Sequence, residues 1–325
     1  MLQIKQWSWI GLIILAIFSI FFSLTHGSTI IHVHELLNIF FNHSNNDLWR
    51  NIIVTIRLPR TLSAFITGGL LALAGAMMQV LLRNPLADPY ILGISGGGAV
   101  VSLILIVLGV SGLGLTVGAW CGSLMATFLV FFLSTRQKMW DSHRILLTGI
   151  ALSSGFSALI SFILVLHSNK EWHSLLFWLL GDLSFAHTPV LEGFILLIVL
   201  IYSRRLAREL NLLARGEREA KALGVNTTRV QIQIYFLSAL LTASAVALAG
   251  CIGFIGLIIP HVFRLSGYRD HHLLLPGCAL LGGTLLTIAD TFSRTLFSPQ
   301  QLPVGIIMAF IGVPIFIILL HKNNV

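Results

Sequence analysis

Forty-six consecutive residues, from Tyr90 to Thr135, contain no Asp, Glu, Lys or Arg. A soluble domain, with about a quarter of its residues charged, does not sustain such a run. At about 20 apolar residues per crossing, the stretch holds two membrane spans, hinged near Gly109, Gly112, Gly114 and Gly118. The signal recurs along almost the whole chain: mean hydropathy is +0.91, 56% of residues are hydrophobic and only 10% are charged. A chain of 325 residues then has room for about ten spans with short connections and for no sizeable soluble domain. The expected fold is an all-α polytopic membrane protein, a single transmembrane domain over 1–325 whose solvent is the lipid bilayer.

Charge-poor runs place the spans near 9–25, 61–82, 90–109, 115–135, 145–166, 190–203, 230–252, 254–266, 273–289 and 303–320. The eighth is short and interrupted by Pro260, and the sixth holds Glu192 near its outer end. The run Trp9–Leu24 lacks a small-x-small cleavage site and is expected to be the first span rather than a secretory leader. The net charge of +8 would point to nucleic acid in a soluble protein; here Lys and Arg report orientation instead. With both termini cytoplasmic, fifteen of the twenty basic residues fall in inner segments, while the twelve acids divide evenly. The outer remainder is Arg50, Arg57, Arg60, Lys170 and Arg294. Cys121, Cys251 and Cys278 lie far apart in apolar segments, as packing residues rather than a disulfide framework.

Ala72-Leu73-Ala74-Gly75 and Ala247-Leu248-Ala249-Gly250 each read as the end of an apolar helix before a Pro-containing turn. The two would run in opposite directions, so the chain is expected to carry an inverted internal repeat, as many transporters do.

The longest polar insertion is 204–229. Within it Arg215-Gly216-Glu217-Arg218-Glu219-Ala220-Lys221-Ala222-Leu223-Gly224 reads as one short helix bracketed by glycines. Gly224 is placed to end it in a left-handed conformation, and Glu217 and Lys221 stand at i,i+4, the favourable order for an exposed pair. Two readings stand: a solvated helix that spaces two spans, or a docking helix that fills a groove in a partner.

Glu219-Ala220 with Gly224 resembles the coupling motif of ABC-importer permeases, the loop that seats in the ATPase subunit. Two stretches are more particular. One is Arg57-Leu58-Pro59-Arg60-Thr61-Leu62 followed by Ala74-Gly75-Ala76, Gln79 and Asn84-Pro85-Leu86-Ala87-Asp88-Pro89. The other is Gly253-Phe254-Ile255-Gly256-Leu257-Ile258-Ile259-Pro260-His261, then Arg264-Leu265, Asp270-His271 and Leu274-Leu275-Pro276-Gly277. With Leu302-Pro303-Val304-Gly305 and Gly312-Val313-Pro314, the chain from about residue 50 to 320 resembles the permease family that imports iron-siderophores, haem and vitamin B12. The run from Asp270 to Leu280 looks most like the vitamin B12 branch.

The resemblance implies a ten-span subunit of a bacterial inner membrane. It works with a second copy of itself, two ATP-binding-cassette ATPase subunits on the inner face and a substrate-binding protein outside. No cofactor binds the chain directly; ATP acts through the partner subunits. Arg215, Gly216, Glu217, Glu219, Ala220, Leu223 and Gly224 then couple to the ATPase. Arg57, Arg60 and Arg294 match positions that meet carboxylates on the binding protein, where Arg–carboxylate pairs orient strongly; snorkelling to lipid headgroups is the other reading. The resemblance also places a cytoplasmic gate at Asn84 and Leu86 and at Ser142 and His143, although Asn-Pro is a turn signal in any case.

Other patterns carry less. Gly93-Ile94-Ser95-Gly96-Gly97 resembles an intramembrane serine protease of the rhomboid type, with His261 as the facing base that such chemistry needs. Nothing else supports it, and glycines there permit close helix packing. His32/His34 and His271/His272 form pairs without a Cys or carboxylate at metal-ligand spacing. No Gly-Lys pair occurs, so no P-loop exists to cradle ATP phosphates. An ion-coupled transporter needs ionisable residues within its spans; the candidates are Glu192 and Asp290, both near span ends.

Overall fold

The structure is a computed structural model, and it describes residues 2–27, 29, 31–40, 47–135, 141–166, 172–184 and 187–322. Lys170 and most of the basic residues expected between spans four and five lie outside them. Among the described residues the secondary structure is entirely helical. Along the chain come α1 (Leu2–Thr25), α2 (Val33–Phe40), α3 (Asp47–Asn51), a π-helical turn (Ile52–Arg57) and α4 (Leu58–Leu81). A 3-10 turn (Pro89–Leu92) leads into α5 (Ile94–Val107), followed by α6 (Leu113–Ser134), α7 (Ser142–Leu166) and α8 (Trp172–Leu179). The remainder is α9 (Val190–Arg215), α10 (Glu217–Ala222), α11 (Thr227–Ala249), α12 (Ile255–Leu265), α13 (His271–Thr295) and α14 (Val304–Lys322).

Each of the ten expected spans falls on a helix. Among the described residues five helical stretches are, by length and composition, long and apolar enough to cross a bilayer: Leu48–Leu81, Leu113–Ser134, Ser142–Leu166, Thr227–Ala249 and His271–Thr295. The hinge between α5 and α6 is where the glycines put it, with Gly109 at φ +74 and Gly112 at φ +62. Gly114 and Gly118 are instead part of α6.

The structure departs from the sequence reading in four places. First, α12 has 11 residues and rises only about 16 Å, half of the roughly 30 Å hydrocarbon layer. It is not a full span by itself. Second, α9 does not end at residue 203 but runs to Arg215. Leu206, Ala207, Leu210 and Leu213 are buried along one face, so an apolar stripe continues where charges on the other face mimicked a loop. Third, α8 fills what read as a connection. Fourth, Ala72–Gly75 does not end a helix. The residues after it, Ala76-Met77-Met78-Gln79, are good helix formers and α4 continues to Leu81, whereas Gly250 at φ +69 does end α11.

The centre of the molecule is α4, in which almost every residue from Thr61 to Leu81 is buried against α13, α11, α12 and α9. Small residues make this possible. A Cβ on Gly68 or on Gly282 would strike the carbonyl of the other, and one on Gly75 would strike the Gly256 carbonyl. Backbones this close give dispersion contact without a hydrophobic driving force, which lipid removes. By contrast α7 buries only Ile145 and Gly149.

Non-helical backbone inside the protein is concentrated where three chain breaks meet. Asp182 N–H donates to the Ala249 carbonyl at 3.0 Å, and Ile252 N–H donates to the Tyr90 hydroxyl at 3.1 Å. These bonds supply the partners that lipid cannot.

Candidate functional site

At the end of the bundle expected to face the cytoplasm, α9 stops at Gly216 and α10 begins at once. The expected glycine-bracketed helix forms: Gly224 takes φ +81, its N–H donates to the Lys221 carbonyl at 3.0 Å, and Val225 N–H reaches back to the Ala220 carbonyl at 3.0 Å. This satisfies carbonyls that the helix end would leave open. Ala220 is fully buried and pins α10 against the body, while Leu223 is 63% exposed. Glu217 holds Lys221 at 2.9 Å. That bond, assisted by the charge of Arg83, keeps the Glu217 carboxyl below the usual carboxylate range.

Beside α10 lies a cavity of about 630 Å³ lined by Arg83, Asn84, Asp141, Ser142, His143 and Glu217 among others. Three of the four residues expected at a gate therefore share one space. Leu86 is held next to it by the turn, its N–H donating to Asn84 Oδ1 at 2.9 Å. Asp141 starts α7, accepting from His143 N–H at 2.9 Å, and Ser142 Oγ leans on the Leu81 carbonyl at 3.4 Å. A second cavity at the same end, about 770 Å³, is lined by Arg83, Arg215, Arg264 and Arg269 with Asp270.

The outer arginines differ from expectation. Arg57, Arg60 and Arg294 are 4%, 7% and 6% exposed and spend their donors inside the chain. Arg60 and Arg294 converge on Asp290, at 2.9 Å and 3.0 Å. Arg60 also donates to Gln301 Oε1 at 2.8 Å, and Arg294 to Ser23 Oγ at 2.8 Å. Arg57 bonds neutral oxygens, the Leu24 and Thr25 carbonyls at 2.8 and 3.2 Å and Thr29 Oγ1 at 3.1 Å. The three arginines expected to meet a binding protein are thus buried within this chain: Asp290 has no exposed surface, and a buried carboxylate must draw in cations. Two guanidiniums close on one carboxylate, so the cluster remains positive.

Ser95 and His261 do not form a catalytic pair: α5 packs on α6, α7 and α11, whereas α12 packs on α4, α13 and α14. His271 is occupied by Asn211, its Nδ1 lying 2.6 Å from Oδ1. Sequence reading missed Arg83. It counted only as an orientation charge, although a lone arginine against an Asn-Pro turn was a visible signal.

A central helix clasped by glycine contacts, a short helix presenting a leucine at one end of the bundle, and a polar cavity beside it are the parts of a multi-pass membrane permease. A model of the FecCD transport family matches residues 14–322, and the chain belongs to that family. It is 39% identical over 292 residues to the hemin transport system permease protein HmuU of Yersinia pestis, covering 87% of each chain. It is also 39% identical over 277 residues to the cobalamin import system permease protein BtuC of Halobacterium salinarum, covering 84% of this chain and 74% of that one. A solved metal-chelate type ABC transporter in an inward-facing conformation superposes with a TM-score of 0.85 at 33% identity, covering 96% of this chain and 98% of that one. The protein is a permease component of an ABC importer.

Proposed function

We propose that this chain forms, with a second copy of itself, the membrane path for a bulky metal chelate (haem, a ferric siderophore or a corrinoid) into a bacterial cytoplasm. The ATP would be hydrolysed by two partner subunits seated on α10, and the chelate delivered by an outer binding protein. The observation that carries the reading is α10 itself: a helix pinned by Ala220 that turns Leu223 to solvent directly beside the cavity of Asn84, Ser142 and His143. The similarity to haem and cobalamin permeases supports the substrate class. The uncovered α7, with Ser154, Ser157 and Ser161 exposed, supports a second copy, since small and polar residues favour helix contacts in lipid.

Both termini lie on the cytoplasmic side in this reading, which accords with the arginines gathered around the inner cavities. The outer cluster of Arg57, Arg60 and Arg294 contributes a positive potential that attracts carboxylates of a binding protein. Of the three, Arg57 is the one whose described partners are all neutral.

Proteoliposomes carrying the chain, with and without its ATPase and binding-protein partners, test the reading when offered ferric siderophore, haem and cobalamin in turn. Accumulation that needs both partners and ATP supports it. Accumulation by the chain alone under an ion gradient overturns it.

A further inference from the structure

Arg83 ends α4 in a left-handed backbone conformation, φ +48, a region that residues with a Cβ rarely enter. Such a conformation persists where the surroundings hold it. The backbone is held locally by a helix-ending motif, Arg83 N–H on the Val80 carbonyl at 3.3 Å and Asn84 N–H on the Gln79 carbonyl at 3.2 Å. The side chain it projects reaches a residue 134 positions away: Nη2 donates to Glu217 Oε2 at 2.5 Å. Glu217 is the first residue of α10, and it is the α10 residue that lines the cavity of Asn84, Ser142 and His143.

The far side of Arg83 is equally direct. Asn84 follows it, and the turn is closed by Leu86 N–H on Asn84 Oδ1 at 2.9 Å and Ala87 N–H on the Asn84 carbonyl at 3.0 Å. A displacement of Arg83 therefore carries Asn84 and Leu86 with it as one unit. The Arg83 and Glu217 side chains are 45% and 31% exposed, and exposed ion pairs contribute only about 0–1 kcal/mol to stability. The pair is thus a weak candidate for holding the fold and a well-oriented one for transmitting movement, because charge-assisted bonds to a guanidinium fix geometry.

We propose that Arg83 and Glu217 are the strut that delivers movement of α10 to the Asn84–Leu86 turn, with Arg83 a positioning residue for the gate. Glu217 then serves the cavity rather than the ATPase surface, and that surface is left to Glu219 and Leu223. This rests on the permease reading above and adds the connection between its two inner sites.

The test compares Arg83→Gln, Arg83→Lys and Lys221→Gln in the complete transporter, reading ATP hydrolysis and uptake of haem or cyanocobalamin separately. Arg83→Gln should lower uptake about tenfold, the scale of a coupling between two sites, while hydrolysis and membrane insertion persist. Arg83→Lys keeps the charge and should restore uptake. Lys221→Gln leaves the strut intact and should transport near the wild-type rate. Full uptake by Arg83→Gln overturns the strut, as does a loss in Lys221→Gln equal to that in Arg83→Gln, which would make Glu217 a local helix pair. Wild-type protein that accumulates none of haem, cyanocobalamin and ferric siderophore with its partners and ATP overturns the proposed import function itself, a result distinct from either.

Discussion

Arg60 on α4 meets Asp290 on α13 in a two-pronged ion pair, Nη2 to Oδ1 at 2.9 Å and Nε to Oδ2 at 3.2 Å, with no surface of Asp290 exposed. Arg294, one turn along α13, closes on the same carboxylate at 3.0 Å. Removing the anion leaves two guanidiniums buried beside each other. Asp290→Ala should destabilise the protein by about 3–5 kcal/mol, the range for breaking a buried pair, measured as thermal unfolding in detergent. A loss below about 1 kcal/mol, the value of an exposed pair, would show that the cluster is hydrated.

The α4–α12 contact gives a steric prediction. A Cβ at Gly75 collides with the Gly256 carbonyl, which is backbone and has no rotamer to yield. Gly75→Ala should destabilise by about 1–3 kcal/mol. Gly11→Ala on α1 meets nothing within 4 Å and should be neutral or stabilising by up to about 1 kcal/mol through helix propensity. Equal thermal shifts in the two variants would contradict the close approach.

For Glu217 the pH dependence has a definite sign. Its folded-state pKa lies below the usual 4.5 through the Lys221 bond and the Arg83 charge. A depressed carboxylate adds stability that is present above its unfolded pKa and lost as pH falls through the folded one. Amide hydrogen exchange of α10, corrected for intrinsic rates, should show constant protection from pH 8 to about 5 and a decline only below 4.5. In Glu217→Gln the decline should be absent.

Leu223 separates folding from docking. Because it is 63% exposed, Leu223→Ala should alter thermal stability by no more than about 0.5 kcal/mol. Burying a leucine at an interface is worth about 1.5–3 kcal/mol, so affinity for the ATPase subunit should fall at least tenfold. Paired with Glu219→Ala, it should leave a protein that inserts but does not couple hydrolysis to import. Co-purification and uptake measure the two effects; normal uptake by the double variant would remove α10 from the coupling role.

The sequence was most legible where the governing physics is short-range. Each of the ten apolar runs fell on a helix, and Gly109, Gly112 and Gly224 turned the chain where their neighbours required a positive φ. The short helix α10 followed from its bracketing glycines, and Asn84, Ser142 and His143 line one cavity. Boundaries failed where a stripe and a charged face shared one helix, as in Arg204–Arg215 of α9. At α12 the bounds held but the count as a full span did not, because a chain break inside the protein needs partners such as Tyr90 that no local pattern announces.

Composition and periodicity alone decide that this chain dissolves in a bilayer as a series of apolar helices, since every backbone polar group must be satisfied within its own segment. What the few charges do was decided by packing. Arg60 finds Asp290 across 230 residues, and Arg83 finds Glu217 across 134. An ion pair is an interaction between surfaces that meet only after helices dock, and glycine contacts such as Gly68 with Gly282 set where they dock. Hence the arginines that read as an outer docking face are buried, and a residue that read as an orientation charge joins α10 to the cavity of Asn84, Ser142 and His143.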